Sequence, residues 1–266
     1  MAYLDLTRRD FNVLEKIRDP ESDPMLMVQV DPSLPKDPYL SDPAEYQKVS
    51  QEERSIILSI QNLEFQHAKQ QPNSSADTDI VGEYRKCVSR LDKVVQDYPK
   101  YASARNNRAQ ALRRLYGDAM LVSDAPRLSQ ALLQNVDESE RTAAAKTVLD
   151  DLGTAISLLT PKAAYSKVSP QVARTLSNAH TQRAAIYLLT SKLLVSKSVS
   201  VAPGRSEGSW SKLDFEEHAS RDFALGGRYG NEIAKGLAVS TNPTAKLCGQ
   251  MVREAMKKEY GPGFAS

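Results

Sequence analysis

The chain has 266 residues, 41% hydrophobic and 26% charged, with 6% aromatic residues and a formal net charge of +2. Acids and bases are interspersed, so no single-sign field favours nucleic acid as a partner, and no apolar run is long enough to cross a bilayer. Two cysteines and three scattered histidines, with no CxxC or HxxxH spacing, carry no metal-site signature.

Residues 1–50 read as an arm. Leu6, Phe11, Val13, Leu14 and Ile17 outline a short amphipathic helix that Asp19-Pro20 ends. Proline then recurs in SDP, VDPSLPKDP and SDP, which forbids continuous helix and predicts an extended or disordered linker. The start has no cationic stretch followed by an apolar run and a small-residue cleavage site, so no secretory signal is read.

From 51 to 266 the pattern turns helical, with no sustained strand alternation. One helix face appears three times, in CVSRLDKVV, VLDDLGTAI and ASRDFALGG. Each places a small or compact residue (Cys87, Val148, Ala219), then Leu91, Leu152 or Phe223 four positions on, then Val94, Ala155 or Gly226 three further. Residues at these spacings share a face, and small side chains there let another helix come close. Two partner helices precede the later copies, around Asn107-Arg108-Ala109 and Gln182-Arg183-Ala184, followed by Leu112 and Tyr187. Pro99 and Pro161 punctuate the series. Helix pair, proline stop, helix pair predicts an all-α, tetratricopeptide-type α-solenoid of about three antiparallel hairpins stacked in a right-handed superhelix.

Three insertions lengthen the hairpins, near 71–79, 119–147 and 191–212. The first is polar and Pro/Ser-containing, and predicts a mobile loop. The second is long enough for its own helix, with Leu128, Ala131 and Leu132 on one side, and DESERTAAAK reads as an acidic first turn leading into the patterned helix. The third contains SVAPGRSEGSWS, whose Gly and Ser density predicts a flexible excursion. A last helix spans 243–260, capped by Asn242, opened by Pro243 and ended by Gly261. Leu247, Cys248, Met251, Val252, Ala255 and Met256 share its apolar side, which either covers the exposed end of the last repeat or binds a partner.

Catalytic arrangements are not found. His180 occupies an inward helix position and reads as a packed core residue. GGRYGN lacks the lysine and preceding strand of a phosphate loop and reads as a helix end. Asp150 and Asp151 are adjacent and point in different directions. Arg105, Arg108, Arg113 and Arg114 do not fall on one stripe. Cys87 and Cys248, both on apolar faces, suggest core thiols in a reduced, cytoplasmic protein with the nucleus also accessible. Neither enzyme activity nor a cofactor is expected. The candidate partner-binding groove, lined by the first helix of each pair, comprises Asn106, Asn107, Gln110, Arg113, Asn178 and Gln182. Amides donate and accept together, which suits an extended peptide backbone.

The run SARNNRAQALRRLYGD, then VLDDLGTAI, TQRAA, ASRDF and NPTAKLCGQMVREAM, resembles the tetratricopeptide repeat protein 36 family, also described as Hsp70-binding. The resemblance spans roughly residues 84–256, with an echo of the family's leading helix in VLEKIRDPESDP and a departure at the three insertions. It implies a non-enzymatic adaptor, with Hsp70 or a metabolic enzyme as protein partner, and a link to tyrosine breakdown through an aromatic-ring dioxygenase. The alternative is a structural subunit of a larger assembly, attached through the insertions and the arm. Asn107 matches the asparagine of a carboxylate clamp, but Asn178 and Gln182 stand where such a clamp needs basic side chains. Any Hsp70 contact is therefore expected on another surface.

Overall fold

Consecutive helices fold back on one another, and the register of their side-chain contacts fixes the direction of each. A computed structural model describes residues 28–69, 79–123, 131–133, 136–163, 166–195, 200–201 and 206–261. Among them are eight α-helices: α1 Pro43–Lys69, α2 Ile80–Asp97, α3 Ala102–Tyr116, α4 Glu138–Leu159, α5 Pro170–Leu193, α6 Lys212–Arg228, α7 Glu232–Thr241 and α8 Pro243–Tyr260. No strand forms among the described residues beyond two isolated bridges, Val30 with Val168 and Val122 with Val201. The fold is all-α. The short helix expected within 1–19 and nearly all of the 71–79 insertion lie outside the described residues.

Local chemistry sets where the helices start. Asp79, Asp137, Ser169, Asn231 and Asn242 each accept a hydrogen bond from a backbone N–H in the first turn that follows, and Pro170 and Pro243 occupy first positions that need no amide partner. At α6 the cap is reciprocal, because Ser211 Oγ accepts from the Asp214 N–H while the Asp214 carboxylate accepts from the Ser211 N–H. Two first-turn N–H groups are satisfied at once.

The three pairs run antiparallel. Glu52 meets Arg90 while Glu64 meets Tyr84 across α1–α2; Arg105 meets Asp151 while Tyr116 meets Glu140 across α3–α4; Ser177 meets Gly226 while Tyr187 packs on Phe215 across α5–α6. The repeated face is buried in every copy, including Leu91, Val148, Leu152, Ala155 and Ala219 at 0% exposure. Full burial of a Leu or Phe side chain contributes about 2–3 kcal/mol. Helix α3 is sandwiched, with Ala102 and Ala109 in one core cluster and Ala104 and Ala111 in the other. Alanine allows that approach from both sides.

Four elements differ from the sequence expectations. From residue 28 on, the proline-spaced stretch before α1 is folded into turns and pinned, neither extended nor loose: Leu34 N–H donates to the Asp31 carbonyl, Asp31 N–H to the Val168 carbonyl and Val168 N–H to the Gln29 carbonyl, and the Tyr39 hydroxyl donates to the Leu158 carbonyl. In the second insertion, residues 131–133 are not helical; the N–H groups of Leu132 and Leu133 instead donate to the Arg114 and Leu115 carbonyls, completing the open end of α3. In the third, Ser206–Ser209 form a 3-10 turn that buries Glu207, and Trp210 stacks on His218 at 3.9 Å, so this part is packed against the core and is not a flexible excursion. Finally, Gly226-Gly227-Arg228-Tyr229-Gly230-Asn231 does end α6, but it also opens a helix that the periodicity did not reveal, α7. A Cβ at Gly227 would lie 2.8 Å from the Lys235 Cα, and one at Gly226 would lie 2.6 Å from Thr181 Oγ1. Gly227 lets α7 lie directly on α6, and Gly226 lets α5 come as close.

Candidate functional site

The hairpins are locked by a charge pair at matching positions. In α4, Asp151 stands three residues beyond Val148; in α6, Asp222 stands three beyond Ala219. Arg108, immediately before Ala109, grips Asp151 with Nε and Nη2 at 2.6 and 2.7 Å, and Arg105 adds a third contact at 2.9 Å. Arg183, immediately before Ala184, grips Asp222 with Nε and Nη2 at 2.6 and 2.8 Å. His180 Nδ1 lies 2.8 Å from Asp222 Oδ1 and donates to it, since an ionised carboxylate only accepts. Burial acts to raise the Asp222 carboxyl, but hydrogen bonds and charge from Arg183 and His180 hold it below its ordinary value of 3.8. Sequence reasoning weighs Asp151 only as a catalytic acid and passes over Asp222. The signal was present, because a residue three along from the small residue shares the packed face, and an arginine recurs at the same place in each partner helix.

The six groove residues do not form one surface. Asn106 and Gln182 are buried: Gln182 Nε2 donates to Asn106 Oδ1 at 2.9 Å, and Arg113 Nη1 donates to Gln182 Oε1 at 3.1 Å, tying α3 to α5. Arg113 also forks onto Asp118 with two bonds of 2.7 Å. Asn107 Nδ2 donates to Glu53 Oε1 at 2.7 Å, so its amide hydrogen is engaged within the fold. Asn107, Gln110 and Arg113 line a cavity of about 560 Å³ between α1 and α3 with Ile57, Ile60 and Tyr84. Asn178 lines a different one, with Val30, Arg174 and Ile233. Two of the amides that periodicity turns outward, Asn106 and Gln182, satisfy each other inside, because buried amide groups need partners, whereas Gln110 and Asn178 are exposed.

A third cavity, of about 510 Å³, opens beside the α5–α6 charge network. Its walls include His180, Arg183, Tyr187, Trp210, His218, Arg221, Asp222 and Tyr229. Tyr229 lies parallel to His180, with centroids 6.1 Å apart and planes at 9°, and Tyr187 meets Trp210 edge-on at 5.3 Å. His180 is packed, as its inward position predicts, yet it also faces this space. Among the described residues no group of His, Cys, Asp and Glu side chains is placed to hold a metal ion, and no helix is long and apolar enough to cross a membrane.

Helix α8 behaves unlike the rest. It has no buried residue, although Leu247, Met251, Val252, Met256 and Tyr260 are each at least 40% exposed. Cys248 is exposed as well, so only Cys87 is a core thiol. The task expected of this helix, covering the last hairpin, falls to α7, whose Ala234 and Ala238 join the core. Lys246 tethers the start of α8 to Glu216 at 3.1 Å.

No protein-family model and no solved structure matches the chain. A protein of Aspergillus fumigatus, named L-tyrosine degradation gene cluster protein hmgX, is 36% identical over 258 residues, spanning 96% of this chain and 93% of its own length.

Proposed function

This chain belongs to the family of that fungal tyrosine-degradation cluster protein, and from that premise we propose that it serves L-tyrosine breakdown as a non-enzymatic adaptor that holds a protein partner. The single observation that carries the adaptor reading is α8, an eighteen-residue helix with an apolar face that no described residue covers. Contiguous exposed apolar surface of this kind marks an interaction site. Burying one Leu, Met or Val side chain there contributes about 1.5–3 kcal/mol, so a few anchors suffice for a specific contact.

The partner is an enzyme of the same degradation route, the aromatic-ring dioxygenase that the resemblance to the tetratricopeptide repeat protein 36 family implies. The three antiparallel hairpins support a tetratricopeptide-type solenoid as the scaffold that presents α8. An Hsp70 contact through a carboxylate clamp is disfavoured: Asn107 is engaged by Glu53, and Gln182 is buried against Asn106. A free EEVD-ended peptide is expected to bind weakly and to lose that binding at moderate salt, where exposed charges are screened within about 10 Å. Micromolar binding abolished by Asn107→Ala would restore the clamp.

The test is reconstitution. Purified dioxygenase of tyrosine breakdown mixed with this chain should co-elute in size-exclusion chromatography, and Leu247→Asp with Met251→Asp should abolish the complex while the helical circular dichroism is kept. No complex with the unmodified chain, or an unaffected complex with the variant, overturns the reading.

A further inference from the structure

The cavity beside the α5–α6 network has no part in the adaptor reading, and no residue of α8 lines it. Three guanidinium groups face it, those of Arg183, Arg221 and Arg228, against two carboxylates, Asp222 and Glu207. Both carboxylates are engaged, Asp222 by Arg183 and His180, and Glu207 by the Tyr187 and Ser206 hydroxyls. Arg221 is exposed at the rim and forms neither an ion pair nor a hydrogen bond with any described residue. Its guanidinium is therefore available to a carboxylate in the fork geometry that this pairing favours.

Part of the remaining wall is aromatic and preset, beside Ile156, Pro161 and Leu225. Trp210 is held flat against His218 at 3.9 Å and edged by Tyr187, while Tyr229 is held parallel to His180. Rings fixed in this way stack on or edge against a further ring without losing freedom on binding. The volume, about 510 Å³, falls within the range of small-molecule sites. We propose that this cavity binds a small aromatic carboxylic acid, its ring between Trp210 and Tyr229 and its carboxylate on Arg221.

The test is calorimetric titration of the full chain with 3-(4-hydroxyphenyl)propionate, with its primary amide, and with cyclohexanepropionate. The acid should bind with Kd below about 1 mM, and both the amide and the Arg221→Gln variant should weaken binding by roughly tenfold or more. The cyclohexane acid should bind more weakly than the aromatic one. Because Arg221 is exposed, its replacement leaves the fold intact, which thermal melting checks. Absence of binding by the acid at millimolar concentration, equal binding of acid and amide, equal binding of the two acids, or an Arg221→Gln variant that binds unchanged each overturns the proposal. Since Arg221 lies away from α8, the dioxygenase complex in the Arg221→Gln variant separates this site's failure from that of the adaptor reading.

Discussion

The first hairpin and the two that follow solve the same problem with opposite charges. In the second and third, the first helix offers arginine and the second a buried aspartate, Arg108 with Asp151 and Arg183 with Asp222. In the first the polarity is reversed and the pair faces water: Arg90 of α2 meets Glu52 of α1 at 2.8 Å, with 41% and 52% of the two side chains exposed. The difference follows from position in the stack. α1 is the edge of the described hairpins, so its charge pair is solvated and contributes little, whereas Asp151 and Asp222 are enclosed and depend on their partners for solvation. Matching position does not imply matching energy.

The largest way to break that comparison is to delete an acid. Asp151→Ala takes from Arg105 and Arg108 the buried carboxylate they share, leaving Arg108 only Asp92 and Arg105 only the Pro99 carbonyl, and Asp222→Ala leaves Arg183 and His180 facing an uncompensated gap. Each should lower unfolding free energy by about 3–5 kcal/mol in urea titration, while Glu52→Ala should cost at most about 1 kcal/mol. Equal losses at Glu52 and Asp222 would show that enclosure is not what separates the hairpins. Next in size is packing: Ala109 and Ala184 are at 0% exposure where helices cross, and Ala109→Leu or Ala184→Leu should cost about 1–3 kcal/mol by overpacking. Unchanged melting in both variants would break the correspondence of the two partner helices. Smaller still is Leu247→Asp on α8, which should change stability by no more than about 0.5 kcal/mol because it removes no buried contact; a larger loss would mean that α8 is part of the core.

The helical faces were legible in the sequence because a periodicity of small and large residues is a local property that survives folding. The spacing of Cys87, Leu91 and Val94 predicts one packed face, and all three are buried. Side-chain pairing was not legible in the same way. Asn106 and Gln182 are far apart in the chain and satisfy each other only once α3 and α5 are brought together, so projecting a helix wheel turned both outward. α7 escaped notice because its ten residues carry only small apolar side chains at the contact, Ala234 and Ala238, whose role depends on Gly226 and Gly227 opposite. The apolar stripe of α8 was plain, but a stripe says only that a surface wants covering and not what covers it.

The smallest expected effect separates the two regions by proton uptake. Burial raises the Glu53 carboxyl above its ordinary 4.5, outweighing the hydrogen bonds from Tyr101, Ser103 and Asn107. For Asp222, burial is outweighed by Arg183 and His180, and the carboxyl is held below 3.8. The linkage signs are opposite. Asp222 contributes stability that is present above 3.8 and lost as pH falls through its lower folded value. Glu53 binds its proton more readily folded than unfolded, so its contribution is fully present below 4.5 and lost as pH rises through its raised folded value. Glu53→Gln has no charge to desolvate and escapes that loss, at the cost of a mismatched hydrogen bond that is the same at every pH. The urea midpoint of Glu53→Gln relative to the unmodified chain should therefore climb as pH rises from 4.5 and then level off. A midpoint difference that stays flat from there to neutral pH would place Glu53 among ordinary carboxylates and remove this contrast between the first hairpin and the third.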